Sequence, residues 1–259
     1  MVFSSKDDWK LVARRRMTLS VAKKNRPLAA LLGLMVASLA MLPLLPPIPQ
    51  DPSYHDFADQ RTLLGIPHFW NVVSNVPFIL IGALGLWQFC RDRATFVLFL
   101  GVFLTGFGSA YYHWNPSNGT LFWDRLPMAL TFMAILAVAI EERVSEKAGA
   151  ILLWPLLVLA VFSLLLWRWT DDLRLYGWVQ FFPCIALPIL FIAFPPSYSG
   201  SFYWLTAAVF YALAKLFEFY DHAIYSVGFV ISGHTLKHLA AASACFAILR
   251  YFQTRKPVR

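Results

Sequence analysis

Apolar residues in this chain come in long, nearly unbroken runs rather than in the stripes of water-soluble amphipathic helices. The runs fall at 28–46, 69–90, 95–114, 121–140, 148–167, 175–194, 202–220 and 228–251. Each is close to the roughly 20 residues that a helix needs to cross a bilayer. In hydrocarbon every backbone amide must be satisfied within a helix or a closed barrel. The runs lack the short alternation of barrel strands, so the pattern predicts an all-α membrane protein with eight transmembrane helices. The first run reads as a retained anchor rather than a signal peptide. Its basic leader is long, no A-x-A site follows, and it runs into Pro43, Pro46, Pro47 and Pro49.

Composition agrees. Only 14% of residues are charged, against roughly 25% in soluble domains, which leaves too little charge to cover a water-facing surface. The net charge of +8 could suggest nucleic acid, but its placement argues for a membrane. Eight basic residues precede the first run, and four close the chain at and beyond the last. Along the whole chain, sixteen basic residues fall on the side of the N-terminus and three on the other. That asymmetry predicts a multi-pass protein with both termini cytoplasmic and the 47–68 loop outside. Nucleic acid is not an expected partner. Cys90, Cys184 and Cys245 form no CxxC and read as small buried apolar residues.

Polar groups inside a membrane are costly, so the positions that keep them carry information. Most collect at one depth. Ser109 and His113 close the third run, Asp124 opens the fourth, Glu218 and Asp221 end the seventh, and His234, Lys237 and His238 lie early in the eighth. An up-and-down topology puts all of them in the outer leaflet. His234 and His238 are four apart, on one helix face, as are Ser109 and His113. Three imidazoles suit a zinc ion with one position left open. Such a site lowers the pKa of water to about 7. Asp124 could then serve as general base and Ser109 as a donor to a developing oxyanion. The plainer alternative is that each histidine is a helix–helix hydrogen-bond partner. Lys215 and Glu218 read as a neutralising pair, and Lys237 as a side chain reaching the outer headgroups.

The pieces F-W-N-V-V-S-N at 69–75, G-S-A-Y-Y-H at 108–113 with W-D at 123–124, and S-G-H-T-L-K-H at 232–238 resemble the alkaline ceramidase family. That family lies within the heptahelical membrane hydrolases that also include adiponectin-receptor and haemolysin-III-like proteins. The resemblance covers roughly 55–250. It implies a seven-helix transmembrane bundle plus one extra N-terminal transmembrane helix. The divisions are then a basic cytoplasmic tail at 1–27, the extra helix at 28–46, an outer loop at 47–68, a seven-helix ceramidase-like domain at 69–251 and a basic tail at 252–259. It also implies Zn2+ on His113, His234 and His238, with Ser109 and Asp124 catalytic. The expected activity is cleavage of the N-acyl amide of a ceramide-like membrane lipid, and the short loops suit a bacterial inner membrane.

One departure stands out. The family has an acidic calcium site before F-W-N, matched by Asp56 and Asp59. Here His68 replaces its Glu and Arg61 a neutral Asn. A lost carboxylate and an added cation both weaken a hard-cation site, so calcium is not expected. His55, Asp56, Asp59 and His68 then form a polar loop. Two other functions remain open. One is a non-enzymatic receptor or scaffold whose zinc is structural, with Asp124 as fourth ligand. The other is a serine protease built on G-F-G-S-A at 106–110, which leaves the H-x-x-x-H pair unexplained.

Overall fold

The computed structural model describes residues 27–258. The basic leader at 1–26 lies outside them. Among the described residues there is no strand. The chain folds into α1 (27–41), α2 (Phe69–Val73), α3 (Val76–Gln88), α4 (Arg93–Trp114), α5 (Asn118–Arg143), α6 (Glu146–Thr170), α7 (Arg174–Ala193), α8 (Phe202–Phe219), α9 (Asp221–Tyr225) and α10 (Gly233–Thr254).

Seven helical segments among the described residues are long and apolar enough to cross a membrane: Pro27–Leu44, Phe69–Gln88, Arg93–Trp114, Asn118–Arg143, Glu146–Thr170, Arg174–Ala193 and Phe202–Phe219. The pattern of apolar runs predicts eight. The remaining run is the 22-residue α10, which falls short of the others in hydropathy. It carries His234, Lys237 and His238 in its first two turns and Arg250 near its end. Its two histidines are buried.

The helix ends follow from short polar side chains in the turns. Asp92 accepts a hydrogen bond from Thr95 N, Ser145 from Ala148 N and Ser232 from Thr235 N. Ser117 and Thr120 form a reciprocal capping box. The span 69–88 breaks at Ser74–Asn75, and Pro77 starts the second piece, where its missing N–H costs nothing. Asn75 Nδ2 ties the break together by donating to the Asn71 carbonyl at 2.7 Å.

Helix α5 is the centre of the bundle, packed on α4, α6 and α7, while α10 packs on α8 and α3. Ala129, Ala134, Ala137 and Ala139 of α5 are fully covered, and small residues of this kind let helices approach closely. Helices α7 and α8 make few close backbone approaches. Long side chains bridge them: Gln180 donates to the Tyr211 hydroxyl at 3.4 Å, and the Phe191 and Trp204 rings lie 5.1 Å apart.

Helix α1 is peripheral, with only 6% of the Pro27–Leu44 window buried. Trp178 Nε1 donates to Ser38 Oγ at 2.9 Å, and Arg174 Nη1 donates to the carbonyls of Leu42 and Leu45. Asp172 and Asp171 accept the backbone N–H groups of Ile48 and Gln50. The expectation that the cysteines are buried is corrected: Cys90 and Cys184 are exposed and Cys245 half-buried. On a bundle whose outer face meets lipid, an apolar position carries no information about burial.

Candidate metal centre

Each histidine of the centre is placed by a helix end. His113 sits in the last turn of α4, and His234 and His238 in the first two turns of α10. All three are buried, at 1%, 5% and 4% exposure. One nitrogen from each lies within 4.8 Å of the others, and Nε2 of His113 and Nε2 of His234 are 3.3 Å apart. Zinc–imidazole bonds of about 2.0–2.1 Å put two nitrogens of a tetrahedral site roughly 3.3 Å apart. Three neutral nitrogens with no thiolate also suit zinc better than magnesium or calcium. The donor set and its spacing therefore fit one zinc ion.

The surrounding side chains fix these rings. Ser74 Oγ stands 2.8 Å from His238 Nδ1 and donates to the Asn71 carbonyl at 3.2 Å. A hydroxyl that donates to a carbonyl must accept from Nδ1–H, which leaves His238 Nε2 bare for a metal. Asn71, fully buried, accepts from Ser232 Oγ and Thr235 Oγ1 and so links α2 to the start of α10. Asp221 does the same from α9. Its Oδ1 accepts His234 N at 2.7 Å and its Oδ2 accepts Ala58 N at 3.0 Å. Gly233 permits this approach, because a Cβ there would stand 2.3 Å from the Phe217 carbonyl oxygen.

Ser109 and Asp124 are both buried, at 3% and 7% exposure, on the packed helices α4 and α5. Gly108 closes the seam between them: a Cβ there would lie 2.1 Å from the Trp123 carbonyl oxygen. Asp124 Oδ1 is buried with no hydrogen-bond partner among the described residues. Buried polar atoms are normally paired, so this oxygen is an acceptor that a water or a substrate N–H could satisfy.

The 47–68 segment lies over the centre. The Phe57 ring is 4.6 Å from both the His113 and His234 rings and is itself buried. His55 Nδ1 meets the Tyr112 hydroxyl at 2.8 Å, and His68 Nδ1 meets the His113 carbonyl at 2.9 Å. These histidines were expected in a polar loop and instead pack onto the site. Arg61 grips Asp59 with Nε at 2.8 Å from Oδ1 and Nη2 at 2.6 Å from Oδ2, and Nη2 also reaches the Val230 carbonyl. Burial pushes the Asp59 carboxyl up, but the hydrogen bonds and charge of Arg61 outweigh it and hold it below its ordinary range.

Lys215 pairs with Glu218 at 2.7 Å, as its spacing suggests. Lys237 does not reach outward to headgroups as expected. Its Nζ lies 2.5 Å from Glu218 Oε1, inside the bundle. A half-buried carboxylate one helix away is a better partner for an ammonium than a climb past apolar rings. The pattern also left Phe57, Ser74 and Gly108 without roles. Only Ser74 left a signal, as a polar residue inside an apolar run.

A family model described as Ceramidase matches residues 64–195, about half of the chain. The matched stretch contains Ser109, His113 and Asp124, and His234 and His238 lie beyond it. No curated protein matches the sequence.

Proposed function

The chain belongs to the ceramidase family, and from that premise we propose a zinc-dependent membrane hydrolase that cleaves the N-acyl amide of a ceramide-like lipid. The single observation that carries this reading is the meeting of three buried imidazoles from α4 and α10, and α5, packed on α4, adds a buried carboxyl with an unpartnered oxygen. His113, His234 and His238 would hold the zinc ion, which would supply Lewis acidity and a water that ionises near neutral pH. Asp124 takes a proton from the attacking water and returns it to the amine leaving group. Ser109 donates a hydrogen bond to the carbonyl oxygen as negative charge builds on it. Ser74 holds the tautomer of His238, and Phe57 keeps bulk water off the imidazoles.

Helices α2 to α10 form the seven-span catalytic domain, and α1 is an additional helix on its rim. The loosely packed α7–α8 seam offers acyl chains a way in from the bilayer. The basic asymmetry supports a topology with both termini in the cytoplasm and the centre in the outer leaflet, in keeping with a bacterial inner membrane. In the second reading the zinc is structural. The free Asp124 oxygen favours it in one respect, since that carboxyl could be a fourth ligand.

One variant decides between them. Zinc-loaded wild type should release fatty acid from an N-acyl sphingoid lipid, and a chelator should stop it. Asp124→Asn should keep the metal and lose about 10²–10⁴-fold in rate, the range of a general base. Zinc loss and a lower melting temperature in Asp124→Asn, with no turnover by wild type, would establish the structural reading instead.

A further inference from the structure

Arg125 follows the proposed base in sequence and is 95% buried, since only 5% of it is exposed. Among the described residues it forms no salt bridge and no hydrogen bond, and its Nη1 is enclosed without a partner. Three aromatic faces surround the guanidinium: Tyr54 at 5.1 Å, Trp167 at 4.7 Å and Tyr176 at 4.9 Å. Cation–π contacts compensate part of the lost hydration but satisfy none of the N–H donors, which carry the directional demand of the group.

The neighbouring charges do not supply an anion either. Glu218 is shared by Lys215 and Lys237, and Asp124 is the proposed base. Three cations therefore stand with two carboxylates, an excess of one positive charge, and of the cations Arg125 is the most deeply buried. Tyr54 joins the parts, with its ring on Arg125 and its hydroxyl 3.5 Å from Glu218 Oε1. Trp167 lies near the end of α6 and Tyr176 near the start of α7, the end of the bundle that also holds the metal centre. That is where the polar head of a lipid would lie if its amide reached His113.

We infer that Arg125 is the receptor for one oxyanion on the substrate's head, a sulfonate, phosphate or carboxylate close to the amide. The inference rests on the hydrolase reading and names its substrate class: an anionic N-acyl lipid rather than a neutral diol. A guanidinium presents a planar fork that pairs two N–H groups with two oxygens. The buried rings of Trp167 and Tyr176 hold that fork in place before the ligand arrives.

The test uses zinc-loaded, full-length protein in nanodiscs and two lipids with the same chains, one with a neutral diol head and one with a sulfonate in place of a hydroxyl. Dissociation constants are measured by equilibrium binding of non-hydrolysable amide analogues, alongside hydrolysis of the parent lipids. Wild type should bind the sulfonate about 10–100-fold more tightly, the range of a buried hydrogen bond to a charged group. Arg125→Met should abolish that preference and leave the neutral lipid's affinity unchanged. If Arg125→Met does not fold, Arg125→Lys decides. It keeps a cation but loses the fork, so the preference should fall several-fold. Equal binding of both lipids to wild type, or an undiminished preference in Arg125→Lys, would overturn the inference. So would inorganic phosphate binding as tightly as the sulfonate lipid, since the site would then serve a free anion. The two readings fail separately. A persistent preference without hydrolysis of either lipid removes the hydrolase, and equal hydrolysis and binding of both removes only the anion subsite.

Discussion

Ser74 decides which nitrogen of His238 is free, because a hydroxyl committed to the Asn71 carbonyl can only accept from Nδ1–H. Ser74→Ala should weaken zinc binding by about 10–100-fold, the usual effect of losing a partner behind a ligand, and competition with a chelator would measure it. Ser109→Ala should instead keep zinc and lose about 10²–10³-fold in rate, as for one oxyanion donor. Gly108→Ala separates packing from chemistry. Its Cβ would collide with the Trp123 carbonyl oxygen at 2.1 Å, so α5 must move and carry Asp124 with it. The variant should bind zinc normally and hydrolyse slowly, and normal turnover would show that the α4–α5 seam tolerates displacement. At this scale the three imidazoles that meet were legible because a polar group in a membrane needs a reason. Phe57 was not, since one Phe among 23 bears no mark of its position over the His113 and His234 rings. Gly108 stood in a quoted motif, but its reason lies fifteen residues away at Trp123.

The 47–68 segment is the element that sequence described least well. Its polar residues read as loop, yet they grip the helices below. Asp221→Ala would leave the His234 and Ala58 N–H groups without their acceptor, at about 1–3 kcal/mol for the buried His234 donor. A clear drop in melting temperature with weaker zinc retention should follow, and an unchanged melt would show that neither bond matters. Asp59 ties the same segment to Arg61, and its carboxyl sits below the ordinary value of 3.8. A lowered folded-state value means that the tether's stabilisation is full above the ordinary value and is lost as pH falls beneath it. The gap in melting temperature between wild type and Asp59→Asn should therefore be constant near neutrality and shrink below about pH 4. Because Arg61 occupies both Asp59 oxygens, activity should be nearly independent of added calcium. Saturable calcium activation abolished by Asp56→Ala would contradict that.

For the whole molecule, the apolar runs foretold an all-helical bundle and the boundaries of most helices to within a few residues. They overstated α10 as an ordinary span. Its polar first half is dictated by the centre it serves, and burial against α8 and α3 replaces the hydropathy it lacks. They also misjudged the cysteines, because lipid and protein interior look alike to an apolar side chain. What no periodicity could reveal was which helices touch: His113 meets His234 across 121 residues. The most direct test of the account is zinc content and lipid-amide hydrolysis measured on the same preparations of wild type and His113→Ala. About one zinc per chain in wild type should accompany hydrolysis, and both should fall together in the variant, because two imidazoles hold zinc poorly. Full zinc occupancy in His113→Ala, or hydrolysis by wild type stripped of metal, would contradict the three-histidine centre.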